Sequence, residues 1–556
     1  MFFTNITSYN DLTSLNAILN LSLVGFLNTF VTLILSYRFF QAIQQCGYRG
    51  ADYYKFVFIK DNAKIKRLFN LTLLSILGFL LTNMAFAFLR APYVSFFGFV
   101  WYLFFIVIYQ IGESKKPNKV PLVKTKRMIR LMITFSVLTL LFNLAFSYLA
   151  NLICILTQNE LFSLFRYSIL CVMPLLVPYL ILLAYVINNP FEKLVNKHYL
   201  KLAKQTIKKF KGKKIAITGS FAKTSVKEIL TTILSEKYNV LKTPLSYNTP
   251  LGIAKTVKRL NNDYNVFISE LGARRVGDIN KLTNLIEPDI AVITGVTSQH
   301  LETFLTINNI KKAKYELIEN MKGGFAVFSN DNEYSVEMYN DCPFDKYLAG
   351  INSKNASVYA TDIEYTFENT TFTLNYKDQS VKITTSLVGE SAVTNICLAS
   401  AVSLNLGLTL PQIAVGINKI ESVKHRLEII KNQVGAYIID DSYNSNPEGV
   451  KKAVALLNIA KGKKYVVTPG MIELGVFEHN ANFDFGVQLA KVCDKVLLIK
   501  RGGTLNIRQG LLSQGFDKNN IIMIESLEEG KKFLAENLTC DDAVLFENDL
   551  PDIYTE

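Results

Sequence analysis

The chain has 556 residues, 50% of them hydrophobic and only 19% charged, with a formal net charge of +14. That length exceeds what one core can organise and calls for about two to four domains, while the uneven spread of apolar residues excludes a wholly soluble protein. The basic residues could in principle serve a nucleic acid, but they collect beside apolar runs, which argues against nucleic acid as a partner. Cys46, Cys154, Cys171, Cys342, Cys397, Cys493 and Cys540 have no C-x-x-C spacing. Neither a zinc site nor a disulfide framework is indicated, and a reducing cytosolic face is the natural inference.

Residues 1–16 carry no Lys or Arg, so the first apolar stretch reads as a retained anchor and not a cleavable leader. Apolar runs at 17–37, 69–89, 91–112, 131–157 and 169–188 are each near the ~20 residues that cross a bilayer, and about five spans are expected over 1–190. Basic residues crowd alternate loops: Arg38 to Arg67, then Lys115 to Arg130, then Lys193 to Lys214, against only Arg90 and Arg166 on the other side. The asymmetry places the N-terminus outside and the remainder in the cytoplasm, on a multi-pass protein of a bacterial inner membrane. Residues 191–212 form a basic juxtamembrane linker. These basic runs serve topology and contact with anionic headgroups; a sharper reading has Tyr48, Tyr53 and Tyr54 with Lys60, Lys64 and Lys66 dock a phosphorylated lipid head.

From Lys213 the pattern changes to alternating strands and helices, the signature of a parallel α/β sheet. Strands are expected at 214–218, 266–270, 290–294 and 325–329, and helices near 225–238, 250–260, 277–286 and 308–321. A hairpin follows at 370–376 and 381–386, turning at Lys377-Asp378-Gln379, and a helix over 393–406 closes a domain of residues 213–425. The alternation restarts in 426–556 with strands at 436–439, 465–468, 495–499, 521–524 and 543–546, a second α/β domain.

The first of these strands breaks into Gly219-Ser220-Phe221-Ala222-Lys223-Thr224-Ser225 ahead of a helical pattern. Backbone N–H groups of such a loop face a polyphosphate, a lysine reaches its terminal phosphates and a hydroxyl reaches Mg2+. The usual loop has glycine before the lysine, where this chain has Ala222, and a solvated helix start would use the same Ser and Thr as caps. Glu270, at the end of the next buried strand, is where Mg2+ is usually held. His300 lies just past the following strand and Lys314 on the helix after it; taken alone, the histidine reads better as a surface residue and the lysine as part of a solvated face.

Together these stretches resemble the Mur ligase family: Thr218-Gly219-Ser220 with Lys223-Thr224-Ser225, Glu270-Leu271-Gly272-Ala273, His300-Leu301-Glu302, Ala313-Lys314-Tyr315-Glu316, Asn395, His425-Arg426-Leu427-Glu428 and Asp440 to Pro447. The last is most like the branch called MurF. The resemblance implies a P-loop central domain, a Rossmann-like C-terminal domain and ATP-driven amide formation through an acyl phosphate. It implies that Gly219, Ser220, Lys223, Thr224 and Ser225 hold phosphates, that Thr224, Glu270, His300 and Lys314 serve Mg2+, and that Lys314 is carbamylated by CO2. It further places Asn395 at adenine, Arg426 at the phosphates, and Asp441 and Asn444 at the ribose side. Lys223, Glu270, His300 and Lys314 would carry the chemistry.

Ser391-Ala392 and Glu547-Asn548-Asp549 depart from the family's pattern, and membrane runs stand where it has a uridine-nucleotide domain. The expected activity is a membrane-anchored ligase adding an amino acid or dipeptide, D-alanyl-D-alanine for a true MurF, to a UDP-linked or undecaprenyl-linked carboxylate acceptor. A poly-γ-glutamate-type polymerising ligase and an ATP-driven transporter are alternatives; against the transporter, no L-S-G-G-Q-like signature occurs.

Overall fold

The computed structural model describes residues 15–60, 62–88, 94–114, 121–157, 168–443, 445–500 and 502–548. It divides into two compact units between Val195 and Asn196.

The first unit is helical: Leu15–Gln45, Asn62–Phe88, Val94–Ser114, Lys126–Thr157 and the start of Met173–Lys209, with a short helix Gly50–Tyr54 running into a π-helical turn, Lys55–Lys60. Among the described residues, four helical stretches are long and apolar enough to cross a membrane: Ser22–Gln45, Ile65–Thr82, Lys126–Ile153 and Leu170–Lys209; Val100–Glu113 is apolar but shorter. Large apolar side chains face outward, such as Phe26, Phe30, Leu81 and Ile133. Polar ones point inward instead: Asn28 donates to Asn143 Oδ1 at 2.6 Å and Asn143 to Thr29 Oγ1 at 3.1 Å. An apolar exterior around hydrogen-bonded amides suits a hydrocarbon solvent, in which an unpaired amide is costly.

The second unit holds two sheets. Strands β1 (Lys213–Thr218), β2 (Val240–Lys242), β3 (Val266–Glu270), β4 (Ile290–Ile293), β5 (Phe325–Ser329), β6 (Asp345–Ile351), β7 (Val358–Tyr365), β8 (Thr370–Tyr376) and β9 (Gln379–Thr385) form one sheet, ordered β2-β3-β1-β4-β5-β6-β7-β8-β9. It is parallel through β7 and antiparallel across β7-β8-β9. β3, β4 and β5 are buried at every position, as strands covered on both faces must be. The second sheet, ordered β10-β11-β15-β12-β13-β14, comprises β10 (Glu428–Lys431), β11 (Tyr437–Asp441), β12 (Lys464–Thr468), β13 (Lys495–Ile499), β14 (Ile521–Ile524) and β15 (Ala543–Glu547), all parallel except for β10. The α/β reading of the sequence thus holds.

The structure adds elements that the sequence reading lacked, among them β2 and the helix Glu333–Asp341. β6 and β7, expected as neither strand nor helix, extend the first sheet; a further helix, Leu410–Ile417, follows the one at Glu390–Asn405; and β10 adds an antiparallel edge to the second sheet. The added helix starts from a capping box in which Thr409 and Gln412 satisfy each other's backbone N–H.

Candidate active site

The site assembles at the carboxyl ends of β1, β3 and β4, where an open α/β sheet presents a crevice. β1 runs into Gly219-Ser220-Phe221-Ala222, and the helix Lys223–Leu234 leaves from there. A Cβ on Gly219 would lie 2.0 Å from Thr294 Oγ1, and the residue's φ is +153°, so only glycine fits. Ala222 takes φ 59° at the helix start. An alanine in place of the usual loop glycine is relaxed only at negative φ; the backbone here is left-handed, and the residue is strained.

Lys223 folds back over this loop, donating to the carbonyls of Gly219 at 2.9 Å and Ser220 at 3.1 Å. Burial lowers its pKa to about 8, with Glu270 opposing the shift and Arg426 adding to it. Thr224 Oγ1 donates to Glu270 Oε2 at 2.8 Å, and Asn248 Nδ2 donates to Glu270 Oε1 at 3.0 Å. Lys227, fully buried one turn beyond Lys223, lies 3.6 Å from Glu270 Oε2 and donates to the carbonyl of Leu245. Burial pushes the Glu270 carboxyl up, but Lys223, Lys227 and the two hydrogen bonds outweigh it and hold the group ionised, below its ordinary pKa.

His300 sits at φ 57° ahead of a single helical turn, Leu301–Phe304. Its Nδ1 pairs with Glu473 Oε2, whose other oxygen is 3.7 Å from Arg274. Burial lowers the imidazole's pKa despite that carboxylate. Lys314 is 3% exposed on the helix Ile307–Glu319, and among the described residues no hydrogen bond or ion pair is assigned to its amine. Burial, then the charge on Lys223, lower its pKa to about 7, against Asp278, Glu270 and Glu316. The neighbouring Glu316 is engaged elsewhere, accepting from the backbone N–H of Asn280 at 2.9 Å.

A cavity of about 510 Å³ opens beside the loop, lined by Phe221, Ser225, Asn395, Arg426, Asp441 and Lys452 among others. Burial raises the Asp441 carboxyl to about 6, opposed by Arg426. Arg426 Nη2 also donates to Thr224 Oγ1 at 3.3 Å, which ties the cavity to the carboxylate centre.

The structure therefore brings Gly219, Ser220, Lys223, Thr224 and Glu270 into one cluster, within electrostatic reach of Lys314, and gathers Ser225, Asn395, Arg426 and Asp441 around the cavity. His300 is drawn to Glu473 and, among the described residues, makes no hydrogen bond to Glu270. Asn444, and Lys60 and Lys64 of the lipid-head reading, lie outside the residues whose side chains are described. Sequence reasoning missed Asn248, Lys227 and Glu473. Lys227 was signalled by a lysine one turn past Lys223 on the same helix face.

Thr224 Oγ1 and Glu270 Oε2 are hard oxygen donors close together at a phosphate loop, and they fit Mg2+. The Lys314 amine does not; only its carbamate would supply oxygen.

Two family models match: the Mur ligase middle domain over residues 217–403, and the Mur ligase glutamate ligase domain over 425–547. The chain is 31% identical over 313 residues to a UDP-N-acetylmuramoyl-tripeptide–D-alanyl-D-alanine ligase of Escherichia coli, covering 55% of this chain and 69% of that one. To the protein of the same name from Buchnera aphidicola it is 30% identical, spanning 47% of this chain and only 57% of that relative. Among solved structures, MurF ligase from Thermotoga maritima in complex with ADP superposes with a TM-score of 0.57 at 26% identity, covering 64% of this chain and 80% of that one.

Proposed function

Because this chain belongs to the Mur ligase family, we propose that it is an ATP-dependent ligase that joins the amine of an amino acid or dipeptide to a carboxylate acceptor. The observation that carries the proposal is the continuity of the 510 Å³ cavity with the phosphate loop and, through Arg426 and Thr224, with Glu270.

A carboxylate does not react with an amine at neutral pH, so it must be activated. ATP occupies the cavity, with Asn395 at the base, Asp441 at the ribose side and Arg426 with Lys223 at the phosphates. An acceptor oxygen displaces ADP from the γ-phosphorus to give an acyl phosphate; the amine adds to its carbonyl, loses a proton, and inorganic phosphate leaves. Mg2+, held by Thr224 and Glu270, would neutralise charge as the phosphoryl group moves. Lys223 and the loop amides hold the same oxygens in place, and closure of the C-terminal domain excludes water from the acyl phosphate.

The buried Lys314, with no hydrogen bond or ion pair at its amine among the described residues, is suited to carbamylation: near neutrality much of it is free amine, which adds CO2 and becomes an anion beside Lys223. His300 is oriented by Glu473 at the same centre.

The relatives' names make D-alanyl-D-alanine the first amine to try and a UDP-muramoyl-tripeptide the first acceptor. The apolar helices of residues 1–190 support a multi-pass, cytoplasm-facing enzyme of the inner membrane, and with it an acceptor carried on a lipid such as undecaprenyl. Phosphate release by the detergent-purified chain, with D-alanyl-D-alanine and either the nucleotide precursor or a membrane lipid extract, separates the cases. Release with the nucleotide assigns the helices to location alone; release only with the extract makes the acceptor lipid-linked; release with neither rejects this substrate pair.

A further inference from the structure

One oxygen of Glu270 is held by a group that the C-terminal part of the chain touches, and the other by a near neighbour in the chain of such a group. Oε2 accepts from Thr224, and Thr224 receives the Arg426 guanidinium. Oε1 accepts from Asn248, two residues beyond Ser246, and Ser246 Oγ receives the Tyr443 hydroxyl at 2.6 Å. Arg426 and Tyr443 are themselves stacked, with the guanidinium carbon 4.4 Å from the ring centroid.

The segment from Leu245 to Asn248, which joins Ser246 to the Glu270 contact, is restrained at both ends. Leu245 is left-handed at φ 45°, and its carbonyl is taken by the buried Lys227. Asn248 closes from the other side: its carbonyl accepts from Gly272 N at 2.9 Å, and a Cβ on Gly272 would lie 2.7 Å from its side chain. The Tyr443 contact at Ser246 therefore falls on the same short, restrained stretch, residues 245 to 248, that presents the Asn248 amide to Glu270.

We propose that Tyr443 and Ser246 are positioning residues for the metal carboxylate: docking of the Arg426–Tyr443 pair orients both oxygens of Glu270, so the divalent-cation site is complete only when the C-terminal domain is seated. The coupling makes an acyl phosphate form only in the closed, water-excluding arrangement. This rests on the reading of the loop as an ATP and Mg2+ site.

The test uses the full chain in detergent and titrates Mn2+ by electron paramagnetic resonance in the presence of ADP. Tyr443→Phe keeps the ring under Arg426 and removes only the hydroxyl; Ser246→Ala removes its acceptor. Each is expected to weaken Mn2+ binding about threefold to tenfold, the effect of one hydrogen bond. ADP affinity without metal stays as in the wild type. The double variant is expected to be no weaker than either single one, because both remove the same contact, and Ser246→Thr is expected to restore binding.

Mn2+ affinity within about twofold of wild type in both variants, strictly additive losses, or an equal fall in metal-free ADP affinity would overturn the proposal. A wild-type protein that binds neither ADP nor Mn2+ would instead overturn the nucleotide-site reading and this inference with it.

Discussion

Ala222 and Lys314 show how far single side chains depart from their ordinary states at this centre. An alanine at φ 59° costs roughly 1–2 kcal/mol, against which glycine adds back about 0.5–1 kcal/mol of unfolded-state freedom. Ala222→Gly is therefore expected to stabilise the protein by up to ~1.5 kcal/mol, read as a higher melting temperature with ADP bound. A lower one would mean the alanine methyl makes a contact worth more than the strain. For Lys314 the sign follows from its pKa of about 7: above that pH the free amine predominates and can add CO2, below it the ammonium cannot. A 13C carbamate signal from labelled bicarbonate is expected to grow as pH rises through 7 and to be missing in Lys314→Ala. Turnover of that variant is expected to be lost and partly restored by short carboxylic acids; full activity without them would remove Lys314 from the mechanism. The named residues of the loop were readable because each sits beside a strand end. Asn248 and Glu473 were not, since an asparagine in a Ser-Tyr-Asn loop and a glutamate before Leu-Gly carry no spacing that marks them as partners of Glu270 and His300.

At the scale of elements, the loop after β1 depends on its closeness to the end of β4. Thr294 Oγ1 occupies the space where a Gly219 Cβ would go, and Gly295 leaves room for the Phe221 ring, whose Cζ would be 2.6 Å from a Cβ there. Gly219→Ala is expected to lower ADP affinity at least tenfold, measured by calorimetry, because the loop must shift to clear Thr294; unchanged affinity would show that the loop relaxes freely. The buried parallel strands were legible as short apolar runs. β2 was not, having three residues, and β6 and β7 were not because they are buried on alternate or partial stretches, with Asp345, Lys346, Asp362 and Glu364 among them. Such strands gain their place from pairing with neighbours and not from their own pattern. The helix Leu410–Ile417 was in fact announced by Thr409 and Gln412 three residues apart.

For the whole molecule, composition separates a greasy N-terminal portion from the remainder, and the alternation of strand and helix patterns marks that remainder as α/β. What composition cannot supply is the interior of the helical unit, where Asn28 and Asn143 bond across helices 115 residues apart in sequence, or the seating of Arg426 on Thr224 across 202 residues. Those contacts depend on packing. The activity proposed for the assembled chain requires three reactants at once, and its stoichiometry tests it most directly. The measurement is phosphate release from ATP by the full-length protein with amine and carboxylate acceptor supplied separately and together. One phosphate and one ADP released per amide formed, with release dependent on both partners, is the predicted result. Steady ATP hydrolysis indifferent to the amine and the acceptor, or release of AMP and pyrophosphate, would contradict it.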